Sequence, residues 1–283
     1  MRSLDTHTER TMQLRHHLQH GLARTSPAMA APWRSQFLSH VQEAPVFNLS
    51  TLHSNEQPFS AAGSSLAPRA RTVVFRGMLG GMDVNPKNSA KLNPDTWESD
   101  LLTLTTDDRM EKVPELLGHS SSGQNHQSQS GRGGPVEAVF WVPKTKTQWR
   151  LRGHAYVIGP DIDTDAGAPV RKALEDQMRR IGDGPWSWGT ELTAHFGNLS
   201  PTMRGSFRNP PPGRPVTEKP EEGYGLGQKV GDLEDEIARR HFRLLVIVPE
   251  DVDQVDLTDP DRGRRWNYQR TESQTWTSAE LWP

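Results

Sequence analysis

The chain has 283 residues, a formal net charge of −2 at pH 7 and no cysteine, which excludes disulfides, thiolate metal centres, a cysteine nucleophile and a global positive field that would recruit nucleic acid. Hydrophobic residues make up only 33% of it, and 24 Gly with 22 Pro assign much of the chain to loops. No apolar run approaches the roughly 20 residues of a membrane-spanning helix, so a soluble protein with no membrane partner is expected.

Residues 1–28 differ from the rest. They carry Arg2, Arg10, Arg15 and Arg24 with only Asp5 and Glu9 as acids. They read as a disordered extension, as the product of a start upstream of Met29, or as a mitochondrial transit segment. The expected location is cytoplasmic, or mitochondrial on the last of these readings. Folded sequence is expected over 31–283. Behind Pro32, the residues Trp33, Phe37, Leu38 and Val41 recur at helical spacing. Strands are predicted at Val46–Leu52, Arg69–Arg76, Leu101–Thr106, Val136–Val142, Trp149–Ile158, Phe242–Val248 and Trp266–Gln269. Short helices are predicted at Met110–Leu117, Val170–Ile181 and Leu233–Arg240. Polar stretches near 80–95 and 118–134 read as mobile loops, the second being of low complexity. Many strands with few helices argue a mainly β antiparallel barrel or sandwich with helical decoration. Trp33, Trp141 and Trp149 alternate with apolar neighbours and read as structural.

The cations fall at informative places. Arg71 and Arg76 bracket an apolar strand at an odd spacing, which turns them to opposite faces. Thr105 and Thr106 run into Asp107-Asp108-Arg109-Met110-Glu111-Lys112, where hydroxyls, backbone N–H groups and two cations would suit a phosphate monoester. The competing reading is an ordinary helix start with solvated cations. Gln148 offers an amide to a heterocycle edge, and Arg262, Arg264 and Arg265 precede Trp266. The 11 His show no metal-binding spacing. Asp161-Ile162-Asp163-Thr164-Asp165 lacks the Gly and distal Glu of a calcium loop. Ser64, Ser65 and Ser206 have no His and acid arrangement around them that would argue for nucleophilic catalysis. A nucleic-acid-binding barrel would show an aromatic and basic stripe, whereas these cations cluster where strands meet loops.

Taken in order, Ala31-Pro32-Trp33-Arg34, Pro68 to Gly77, Leu102 to Asp107, Gln148 to Gly153, His195 to Pro201, Gly227 to Val230 and Leu281-Trp282-Pro283 resemble the pyridoxamine 5'-phosphate oxidase-like, FMN-binding split-barrel family, in the Alr-type branch of fungi and cyanobacteria. The resemblance covers about Ala31 to Pro283 and implies a split β-barrel that binds FMN as a homodimer and acts on a small-molecule substrate. It implies cofactor contacts from Arg71, Thr72, Val73, Thr105, Thr106, Arg109, Lys112, Gln148, Ser200 and Arg265. It makes Arg76, Arg262 and Arg264 substrate candidates and leaves the catalytic residue unknown. One departure matters. The family's oxidases carry an Arg–X–His substrate motif ahead of the last FMN-binding Arg, where this chain has Asp261-Arg262-Gly263-Arg264. An imidazole is missing there, so weak or no oxidation of pyridoxamine 5'-phosphate is expected. The alternatives are a true oxidase with a rearranged pocket, or a flavin-binding protein without catalysis.

Overall fold

The computed structural model describes residues 29–55, 65–118 and 128–283; the expected N-terminal extension and the centre of the low-complexity stretch lie outside these. Long strands follow from the β-branched and apolar runs. They are β1 (Val46–Asn55), β2 (Ser65–Val74), β4 (Leu102–Asp107), β5 (Gly131–Val142), β6 (Thr147–Ile158), β8 (Phe242–Asp256), β9 (Arg264–Arg270) and β10 (Trp276–Leu281). They form one antiparallel sheet ordered β10-β9-β8-β6-β5-β1-β2, with β4 pairing the first half of β8 and β9 the second half. Two further strands, β3 (Trp97–Glu98) and β7 (Arg179–Arg180), pair with each other. Beyond β2, Arg76 N donates to Thr103 O and Thr103 N to Gly77 O. The sheet therefore curls until its two sides touch, without a continuous ladder: a mainly β architecture of the expected kind.

The curl separates two cores. Inside it, α1 (Arg34–Val41) inserts Phe37 among Phe140 and Trp149, at ring distances of 5.1 and 5.6 Å in edge-to-face geometry. Such pairs add to the burial itself. On the other face of β8, Leu244, Val246 and Val248 pack with α3 (Ala168–Glu175), α4 (Trp188–Gly197) and α6 (Glu236–His241). Both faces of β8 are thus covered, which explains its unbroken apolar run. β6 and β8 change register between Arg152 and Gly153. A Cβ on Gly153 would stand 1.9 Å from Val248 O, so only glycine fits this bulge.

Several expectations are corrected. The helix expected to run to Ile181 stops at Glu175, and Arg179 turns back into β7 to meet Asp100. β5 begins at Gly131, inside the stretch expected to be loop to 134. Residues 80–95 form no long element but are tied to α4 by side chains: Asn198 accepts from Asn85 N, and Asn88 donates to Ala194 O. The sequence reading missed α4 and α5 (Pro201–Gly205), although Ser187 and Ser200 cap them by accepting from Thr190 N and Met203 N. Trp141 is 47% exposed, unlike the fully buried Trp33 and Trp149.

Candidate functional site

A cavity of about 680 Å³ opens where the end of β2, the end of β4 and the start of α2 (Lys112–Gly118) converge. Thr72, Val73, Arg76, Thr105, Thr106, Arg109 and Lys112 all line it, so the tertiary structure gathers seven of the residues read from the sequence. The opposite wall was not foreseen. It comes from Met203 on α5, Ser206, Phe207 and a proline-rich strap from Arg208 to Gln228.

The electrostatics of the cavity are uneven. Asp107 accepts from Arg109, with Nη2 to Oδ2 at 2.6 Å and Nε to Oδ1 at 2.9 Å. Glu115 is taken by Arg71 at 2.7 Å, and Arg71 also donates to Thr51. Lys112, only 7% exposed, donates from Nζ to Thr106 Oγ1 at 3.0 Å, and both nearby carboxylates already serve arginines. Burial, and then the charge of Arg71, push the Lys112 ammonium below its ordinary range against the pull of Asp107 and Glu115. Among the described residues no acceptor meets the buried Nε of Arg76, and desolvation lowers its pKa too. Among the described residues, neither Lys112 nor Arg76 forms an ion pair, although Glu218 and Glu221 also line the cavity, which is otherwise framed by hydroxyls and apolar walls.

Arg71 and Arg76 do diverge, as their spacing requires: Arg71 turns to Glu115 behind the cavity and Arg76 lines it. The remaining candidates do not line it. Gln148 lies on β6 opposite Trp141 and Val255. Ser200 caps α5 next to the lining residues Leu199 and Met203. Arg265 forms an ion pair with the buried Asp253 at 2.8 Å, shared with Arg150 at 2.9 Å. Arg262 and Arg264 flank a separate surface recess, and Arg264 pairs with Glu280 over the Trp266 ring. Asp107, Asp108 and His241 approach one another as cation ligands would, but Arg109 and Arg243 neutralise the two carboxylates.

The fold and the cavity define a curled-sheet protein with a pocket lined by cations, hydroxyls and apolar groups at the end of its β2 and β4 strands. Residues 30–159 match the family described as pyridoxamine 5'-phosphate oxidase, FMN-binding domain. An uncharacterized protein of Saccharomyces cerevisiae, YGR017W, is 22% identical over 274 residues, covering 76% of this chain and 88% of the yeast protein. A pyridoxamine 5'-phosphate oxidase-related, FMN binding protein of Nostoc punctiforme has a similar fold, with a TM-score of 0.51 and 22% identity over 89% of this chain and 98% of that one. Among the described residues, no helix is long and apolar enough to cross a membrane.

Proposed function

We propose that the chain binds FMN in this cavity and acts as a flavin-dependent oxidoreductase on a small-molecule substrate. One observation carries the reading: the buried ammonium of Lys112 sits beside a threonine hydroxyl, and the carboxylates near it are already paired. A phosphate monoester supplies the missing counter-charge through charge-assisted bonds, the stronger class of hydrogen bond. Lys112, Thr105 and Thr106 would hold the phosphate, Thr72 and Val73 would line the ring system, and Arg76 would offer its unpartnered Nε to an electron-rich edge. When bound, the flavin supplies the electron-transfer chemistry, while the chain binds it, orients it and keeps its surroundings apolar.

Gln148, Arg262, Arg264 and Arg265 do not line the cavity in one chain, and Ser200 only borders it. A homodimer in which each subunit brings some of these to the other's cavity accounts for the division, and a twofold dimer is the commonest assembly. As to substrate, the region before Arg265 presents Asp261 and Gly263 where an imidazole would grip a phosphorylated pyridine. Asp repels a phosphate and Gly contacts nothing, so pyridoxamine 5'-phosphate is expected to be a poor substrate.

The full chain mixed with micromolar FMN should quench flavin fluorescence and turn yellow; the absence of both refutes FMN binding. Anaerobic mixing of the FMN-loaded protein with pyridoxamine 5'-phosphate should leave the flavin band in place. Bleaching at about 1 per second or faster, within the ordinary range of enzyme turnover, would show a true oxidase instead.

A further inference from the structure

The matching stretch of family sequence ends at 159, yet much of the cavity wall is strap, from Asn209 to Leu226. The strap is nearly bare of secondary structure and mostly exposed, with Val216 and Leu226 open to solvent. Its position therefore depends on where its ends are tied. One tie joins the two ends: Gly225 N donates to Arg208 O at 2.9 Å, and Gln228 Nε2 donates to Arg208 O at 3.4 Å. Another is Tyr224 Oη, 2.9 Å from His241 Nε2, with His241 Nδ1 2.8 Å from Asp108 Oδ1. Where the strap departs from the 3₁₀ turn Ser206–Arg208, Gly205 leaves room for it: a Cβ there would stand 1.9 Å from Gln228 O.

The remaining tie comes from inside the cavity. Arg109 donates from Nη1 to Asn209 O and from Nη2 to Phe207 O, both at 3.0 Å, while its Nε and Nη2 hold Asp107. Its guanidinium carbon also lies 5.5 Å from the centre of the Tyr224 ring. Four of the five N–H donors of a guanidinium are thus spent on protein acceptors. A phosphate could be gripped by the fork of Arg109 only by releasing Asp107 or the strap. Lys112 carries no such commitment to a carboxylate.

We propose that Arg109 is a positioning residue, which fastens the proline-rich strap across the cavity by way of Asp107, and that the anion beneath is held by Lys112 and the two threonines. This rests on the flavin reading for the identity of the anion alone; the clamp itself is a property of the free protein. A lysine at 109 keeps the positive charge but cannot bridge one carboxylate and two carbonyls at once, since an ammonium is a point charge with no planar fork.

The test uses the full chain as wild type, Arg109→Lys, Asp107→Asn and Lys112→Met. Two quantities are read: the ratio of riboflavin to FMN dissociation constants, which isolates the phosphate's share of binding, and the rate of cleavage by a glutamate-specific protease at Glu218, Glu221 and Glu222 in the strap. Cleavage at Glu137, within β5, reports global unfolding and is subtracted. Arg109→Lys and Asp107→Asn should raise strap cleavage roughly tenfold or more and leave the riboflavin-to-FMN ratio within about twofold of wild type. Lys112→Met should do the reverse, shrinking the ratio by roughly tenfold or more with strap cleavage unchanged. A ratio that falls as far in Arg109→Lys as in Lys112→Met, with the strap still protected, overturns the proposal. If the wild type takes up neither flavin, the flavin reading fails by itself, and the cleavage rates still decide whether Arg109 holds the strap.

Discussion

Replacing Lys112 by methionine should make the empty protein more stable and the FMN-bound protein weaker. Methionine is unbranched, apolar and adaptable, so it fills the space of the lysine stem. In the free protein Lys112 is 7% exposed, and its carboxylate neighbours Asp107 and Glu115 are paired with Arg109 and Arg71. Its folded-state pKa is lowered, first by burial and then by Arg71. For a base whose pKa is depressed on folding, the unfolded chain binds more protons in the window between the folded and ordinary lysine values. The penalty is therefore complete below the folded pKa and fades as pH rises toward the ordinary lysine value. Lys112→Met removes it, so the melting temperature of the free protein should rise at neutral pH, and the gain should shrink at alkaline pH. With FMN present, losing one charge-assisted bond of about 1.5–3 kcal/mol weakens binding roughly 10- to 150-fold. At an FMN concentration a hundred times the wild-type Kd, ligand stabilises the wild type by about 2.7 kcal/mol and the variant by only roughly 0.3–1.4 kcal/mol. Thermal melts with and without FMN, beside a fluorescence-quenching titration, check both signs. A variant that melts lower than wild type when empty, or binds FMN equally well, refutes the account of Lys112 as an unneutralised anion receptor.

Asp253 is 1% exposed and serves Arg265 and Arg150, and their hydrogen bonds hold its pKa below the usual carboxylate range despite the cost of burial. Its stabilisation is complete above the ordinary carboxylate pKa and is lost as pH falls through the folded value, so Asp253→Asn should lower stability by about 1–3 kcal/mol at pH 7. The difference from wild type should narrow in melts below pH 4. Gly153→Ala pushes a methyl group against Val248 O and should cost about 2 kcal/mol or more by forcing the β6–β8 bulge open; a denaturant midpoint equal to that of wild type would contradict this. Light scattering should return a mass about twice the 31.8 kDa of one chain, and a monomer carrying one FMN per chain would rule out the shared site.

The strands were legible because their signal is local. The β-branched runs Val46–Leu52 and Phe242–Val248 carry their conformation in their own composition, and β8 needed nothing more than its continuous apolar character to be seen. The cavity's near wall was legible for a related reason: Thr105, Thr106 and Lys112 sit within one strand-to-helix turn, where spacing alone brings hydroxyls and a cation together. Arg109 shows where that reasoning stops. Its spacing suits a phosphate, but whether a guanidinium is free depends on what the rest of the fold presents to it, and here Phe207 O and Asn209 O arrive from about a hundred residues away. The strap left only a run of prolines in the sequence, a composition that excludes helix without saying what the segment covers. Trp141 failed in the same way, since alternation along β5 names two faces and only the neighbouring strands decide which one is wet. Short-range chemistry made the strands and one wall of the site readable; partner choice for buried charges, set by contacts distant in sequence, belonged to the tertiary structure alone.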